Sequence, residues 1–167
     1  MIRIQPEDFD LAEEYQQLRQ GGAGVGAIVT FTGLVRDFNN IAERQGASVE
    51  TLFLEHYPGM TERLLEDIIR EARDRWQLSG VTVIHRIGEL KPGDQIVFVG
   101  TAAAHRAEAF AAAEFLMDYL KTRAAFWKRV RRGGRNEWLD MKDSDRMAAS
   151  RWQREGKQPG RDGGGQQ

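Results

Sequence analysis

The sequence has 167 residues, 41% of them hydrophobic, with 24 Lys and Arg against 25 Asp and Glu and no cysteine. That length suits one domain able to bury a core. The absence of Cys excludes disulfides, thiolate metal sites and any sulfur chemistry on a cysteine of this chain. The formal net charge of −1 conceals an uneven layout: residues 121–135 hold seven basic side chains and no acidic one, leaving 17 basic and 25 acidic residues elsewhere.

Ile2–Ile4 reads as a short strand, and Asp8 or Asp10 as the cap of a helix running to about Arg19 with Leu11, Tyr15 and Leu18 on one face. Gly21–Gly26 is a flexible connection. VGAIVTFTGLV (25–35) is β-branched and alternates in its second half, which predicts a strand. Polar residues 36–48 form a loop. Val49–His56 is a second strand, closed by the turn residues Tyr57-Pro58-Gly59. Thr61 is placed to cap a helix with Leu64, Leu65, Ile68, Ile69, Ala72 and Trp76 at helical spacing, and Gly80 to stop it. VTVIHRI (81–87) and QIVFVGTA (95–102) are strands joined through the turn Lys91-Pro92-Gly93-Asp94. His105 to Thr122 is a long Ala-rich helix. Ala125–Val130 and Glu137–Leu139 are strands, and Ser144–Trp152 a last helix.

Gln153 to Gln167 contains no apolar residue and five glycines. Such a segment cannot offset its ordering entropy by burial, so it is expected to be a disordered tail beyond a single domain of residues 1–152. The order of elements predicts an α+β fold with a mostly antiparallel or mixed sheet and two main helices packed on it. No run approaches the roughly 18 apolar residues of a membrane span. MIRIQPEDFD lacks an apolar signal core. A soluble cytoplasmic protein is expected.

The long helix, laid out at about 100° per residue, gathers Phe110, Leu116, Met117, Tyr119 and Leu120 into one apolar arc. Lys121 falls at its border, where an apolar stem and charged tip can snorkel; an ordinary helix C-terminal lysine fits the same pattern. On the strand that follows, Phe126, Lys128 and Val130 share one face, and Trp127, Arg129 and Arg131 take the other. Two lysines at one apolar surface can supply an amine as base or nucleophile, or bind an anion. An edge-strand gatekeeper charge is equally compatible with Lys128. His105-Arg106 opens the long helix just after a strand, where N–H groups and the dipole favour phosphate or carboxylate. Arg36 stands where a strand gives way to a loop, a common place for a ligand-binding arginine.

Several motifs fail. Gly22-Ala23-Gly24-Val25-Gly26 precedes a strand instead of linking strand to helix, so it is no nucleotide loop. P-loop, GxSxG and HExxH patterns are lacking. His56, His85 and His105 are too scattered to suggest a metal site. Gly163-Gly164-Gly165 is followed by Gln166-Gln167, unlike the terminal diglycine of a ubiquitin-like carrier. The rival to an enzyme is a nucleic-acid-binding module built on Phe126, Trp127 and the basic segment.

VTFTGLVR (29–36), LEHYPGM (54–60), VTVIHRIGELKPGD (81–94), AHR (104–106) and FLMDYLKTRAAFWKR (115–129) together resemble the large, catalytic subunit of molybdopterin synthase. The likeness runs in order across about residues 25–152. It implies an α/β-hammerhead-like fold. It implies a sulfurtransferase that converts cyclic pyranopterin monophosphate (precursor Z) into the molybdopterin dithiolene, in molybdenum cofactor biosynthesis. By the same resemblance the sulfur would arrive as a thiocarboxylate on the C-terminal glycine of a small ubiquitin-like subunit. The likeness also implies a central dimer of large subunits with a small subunit at each end, so that a site can be completed by the second copy. No cofactor, metal, nucleic acid or membrane is implied.

Carried over by motif, the resemblance makes Lys121 and Lys128 the catalytic pair. Lys121 would lie beside the incoming thiocarboxylate, and Lys128 would bind substrate anion and assist transfer. Arg36, His105 and Arg106 would hold phosphate and pterin, while Phe31 and Met117 shape the pocket. Two positions depart from the family pattern, which often has Lys where Leu34 stands and an acidic residue where Val130 stands. The chemistry agrees with the composition: a chain without cysteine must receive its sulfur from a partner.

Overall fold

The computed structural model describes residues 1–36, 49–124, 126–139, 147 and 149–152. The loop expected over 36–48, beyond Arg36 itself, the tail 153–167, and residues 144–146 and 148 of the expected last helix lie outside them. The described residues Met147 and Ala149–Trp152 are helical.

In chain order the elements are β1 (Ile2–Gln5), α1 (Leu11–Arg19), β2 (Ala27–Leu34), β3 (Val49–His56), α2 (Met60–Arg75), β4 (Leu78–Arg86), β5 (Gly88–Leu90), β6 (Gln95–Ala103), α3 (Arg106–Thr122), β7 (Phe126–Arg132) and β8 (Arg135–Leu139). The α+β architecture is as expected, with the strands divided between two sheets. The first has the order β1-β4-β6-β2, in which β1 and β4 are parallel and the other pairs antiparallel. The second, β5-β3-β7-β8, is wholly antiparallel.

Local chemistry accounts for the helix ends. Asp10 caps α1, its carboxylate accepting from the N–H groups of Ala12 and Glu13. Thr61 is not the cap of α2. Gly59 takes that place at φ 80°, a conformation costly for residues with a Cβ, and its N–H donates to the Glu62 carboxylate at 2.6 Å. The Thr61 hydroxyl instead accepts from the Tyr57 N–H at 3.2 Å, inside the first turn. Gly80 does not stop α2 either. The helix ends at Arg75, Trp76 is already extended, and Gly80 lies inside β4, where a Cβ would meet Leu18 and Ala102 at 3.3 Å. A close approach of α1 to the sheet, not a helix terminus, is what this glycine serves.

The first sheet is covered on both faces. Leu65, Ile68 and Ala72 of α2 and Ala109, Ala112, Phe115 and Leu116 of α3 pack with Val83, Val97 and Val99 on one side. Phe9 and Leu18 pack with Ile84, Phe98 and Ala102 on the other. The alanines of α3 face the sheet and bring the helix close, and the Thr101 hydroxyl donates to the Ala109 carbonyl at 2.8 Å. Phe110 falls outside that arc and is 63% exposed; the helix buries its small side chains and Phe115 in its place. A smaller core of Val35, Leu52, Leu54, Leu90 and Val130 closes the inner face of the second sheet. Val130 is fully buried there among aliphatic neighbours, so an apolar residue suits this position.

Candidate active site

A cleft of about 630 Å³ opens where the C-terminal end of α3 meets the end of β2, the inner face of β7 and the end of β4. Each wall has a local cause. On β2, the register shifts between Gly33 and Leu34, and a bulge of this kind re-aims the strand. Beyond it, Val35 is fixed on the Lys91–Asp94 turn. Its N–H donates to the Asp94 carbonyl at 2.9 Å, and its carbonyl accepts from the Gly93 N–H at 2.8 Å. These bonds set the place of Arg36 at the cleft edge, with Phe31 and the 54% exposed Leu34 beside it.

The second wall is the last turn of α3. Leu116, Tyr119 and Leu120 bury their side chains in the core, which turns Met117 and Lys121 toward the cleft. The third wall is β7. Alternation along the strand puts Phe126 and Lys128 on the inner face and leaves Trp127 exposed on the outer one.

Five residues singled out from the sequence therefore meet in one cavity: Phe31, Arg36, Met117, Lys121 and Lys128. Three cations share apolar walls, an arrangement that strengthens their attraction for an anion by excluding water. His105 and Arg106 are not brought to this cleft. They lie exposed at the opposite end of α3, about 22 Å from Lys121 at 1.5 Å per residue. His105 is the N-cap residue of α3 but makes no side-chain cap bond.

His85 also lines the cleft, although the sequence does not single it out. Its only signal is an imidazole interrupting the apolar run VTVIHRI. The ring is 7% exposed and stacks on Phe126 with centroids 3.8 Å apart and planes at 14°. Nδ1 lies 2.8 Å from the Arg86 carbonyl. A carbonyl only accepts, so Nδ1 carries the hydrogen and Nε2 is left as an acceptor. Burial pushes the His85 pKa down to about 4; the bond to the Arg86 carbonyl opposes this, and the charges of Lys128 and His56 add to it. The imidazole is thus neutral at physiological pH among cationic neighbours.

Among the described residues no group of three or more acidic or histidine side chains is placed to hold a metal ion, and no helix is long and apolar enough to cross a membrane. The outer face of β7 is engaged within its own sheet. Arg129 lies over the rings of Phe53 at 4.9 Å and Trp138 at 5.6 Å, and Arg131 pairs with Glu50 at 3.3 Å.

Comparison with known proteins gives a consistent result. Residues 4–123 match the family model described as MoaE protein. The chain is 56% identical over 151 residues to a molybdopterin synthase catalytic subunit of Yersinia pestis, covering 90% of this chain and 96% of that one. It is 54% identical over 151 residues to the corresponding subunit of Escherichia coli K12, covering 90% and 97%. Its fold is similar to the structure of molybdopterin cofactor biosynthesis protein E from Burkholderia multivorans, with a TM-score of 0.76 and 46% identity over 92% of this chain and 96% of that one.

Proposed function

The chain belongs to the MoaE family of molybdopterin synthase catalytic subunits, and from that premise we propose how its residues carry out the sulfur-transfer step of molybdenum cofactor biosynthesis. The observation that carries the reading is the convergence of Lys121, Lys128 and Arg36 on one apolar-walled cleft in a chain with no cysteine.

The sulfur donor is the thiocarboxylated C-terminus of a small ubiquitin-like partner subunit, entering the cleft as an extended peptide. Lys121, at the end of α3, meets the anionic terminus and orients it. Lys128 faces the substrate, cyclic pyranopterin monophosphate, where the sulfur displaces an oxygen from a side-chain carbon. It stabilises the charge that develops as the C–S bond forms and the C–O bond breaks with its electron pair leaving on the oxygen. The donor's C–S bond then breaks, with water supplying the oxygen that returns the terminal glycine to a carboxylate. Arg36 at the edge takes the phosphate. Phe31 and Met117 form apolar walls that keep water from the thiocarboxylate. Leu34, exposed beside Arg36, gives this rim an apolar surface where a lysine would give a charged one.

His105 and Arg106 act in the site of a second copy. One chain cannot bring them to its own Lys121, whereas a dimer of large subunits can place the start of one α3 against the cleft of its neighbour. The catalytic domain extends through residue 152, and the protein works in the cytoplasm.

The direct test combines the purified chain, the thiocarboxylated small subunit and precursor Z, and measures molybdopterin formed. Lys121→Ala and Lys128→Ala are each expected to reduce turnover about 100-fold or more while the complex with the small subunit still assembles. Full activity in Lys121→Ala would remove that residue from its assigned role.

A further inference from the structure

His85 and Phe126 come from different sheets, on β4 and β7 respectively. Their rings nonetheless lie face to face at 3.8 Å, in the wall of the cleft. Phe126 begins β7 directly after the connection from α3, and its N–H donates to the Ala124 carbonyl at 2.9 Å. That short connection carries Lys121 on one side and Lys128 on the other. Whatever holds Phe126 therefore holds the spacing of the two amines.

We propose that His85 is a positioning residue: by clamping Phe126 from the opposite sheet, it sets where Lys121 and Lys128 stand relative to one another. The inference rests on the sulfur-transfer reading only for its effect on turnover; the clamp itself is a statement about geometry.

An imidazole suits this task better than another apolar ring. Near-parallel stacking of two phenyl rings is disfavoured by their like quadrupoles, which prefer offset or edge-on contact. The Nδ1–H bond to the Arg86 carbonyl fixes the ring plane, as a phenyl ring cannot. Because the ring is neutral, it adds no charge repelling Lys128, and its Nε2 offers a lone pair to a donor in the cleft.

The test uses the full chain carrying His85→Asn, His85→Phe or Phe126→Leu, with two readouts. The first is competitive acetylation of lysine amines by trace acetic anhydride, read by peptide mass, with Lys91 as internal reference. The Lys121-to-Lys128 labelling ratio is expected to shift in each variant while Lys91 is unchanged. The second is turnover with the thiocarboxylated small subunit. It is expected to fall about 10- to 100-fold, the scale of an ångström-sized misplacement, with KM nearly constant. The same His85→Asn change made in a Lys128→Ala background is expected to add little, because the two act through one geometry.

An unchanged labelling ratio, unchanged turnover, or losses that simply multiply in the Lys128→Ala background would each overturn the clamp. If His85→Asn fails to fold, Phe126→Leu removes the same stack from the other side and decides the matter. A wild-type chain that makes no dithiolene while the labelling ratio still shifts would overturn the sulfur-transfer reading and leave the clamp standing.

Discussion

The indole N–H of Trp152 donates to the Asp118 carboxylate at 2.8 Å, and the same oxygen accepts from Arg151 at 2.6 Å. The last described residues are thus tied to the C-terminal half of α3. Trp152 is buried, edge-on to Trp76 at 5.7 Å and to Phe115 at 5.4 Å. The packed core therefore includes side chains as far along as Trp152.

Trp152→Ala is expected to cost about 3–5 kcal/mol, the scale of deleting a large buried aromatic. Deletion of 153–167, a run without an apolar side chain to bury, is expected to change stability by no more than about 0.5 kcal/mol. Chemical denaturation of the three proteins checks both. A large loss on deleting 153–167 would contradict the placement of the domain boundary at residue 152.

The buried imidazole makes stability depend on pH in a stated direction. The His85 pKa falls to about 4 in the fold, against an unfolded value of about 6.5. Between these values the unfolded chain binds more protons, so stability rises with pH. The contribution is complete above about pH 6.5 and is lost as pH falls toward 4, about 3 kcal/mol in all. Unfolding free energies measured from pH 4 to pH 8 should show this slope. His85→Phe should flatten it, and an unchanged slope in that variant would assign the dependence to other groups.

The basic segment is not expected to hold nucleic acid tightly. Lys121 and Lys128 face a cleft, Arg129 covers Phe53 and Trp138, and Arg131 faces Glu50. These cations do not form the continuous groove with stacking platforms that single strands require. Titration with a fluorescent single-stranded RNA at moderate salt should show weak binding. Tight binding that weakens steeply with salt would favour the rival reading.

How much of this was legible in the sequence differs by element. Val49–His56 is recovered residue for residue, because the apolar Leu52, Phe53 and Leu54 lie in a short run that ends in a Pro-Gly turn. Lys121 and Lys128 could be placed on their elements from periodicity alone: helical phase puts the first beside Met117, and strand alternation puts the second beside Phe126. β5 is not visible, since the three residues Gly88–Leu90 carry no pattern and pair only because β3 lies alongside. Gly59 and Gly80 show the same limit. A glycine marks a special backbone or a close neighbour, and only the fold tells which. His85 is the largest omission, because its partner Phe126 stands 41 positions away on another sheet. The separation of His105 and Arg106 from the cleft is likewise a property of helix length, which the shared motifs do not express.

That helix has a genetic consequence. α3 carries Arg106 at its start and Lys121 near its end, and under the dimeric reading each end serves a different catalytic centre. A chain ruined at one end can then be rescued by a chain ruined at the other. Arg106→Ala and Lys121→Ala proteins, each nearly inactive alone, should regain activity when co-folded. Random pairing into twofold dimers would restore about a quarter of the centres. If the mixture stays as inactive as its parents, the two ends of α3 do not serve separate centres.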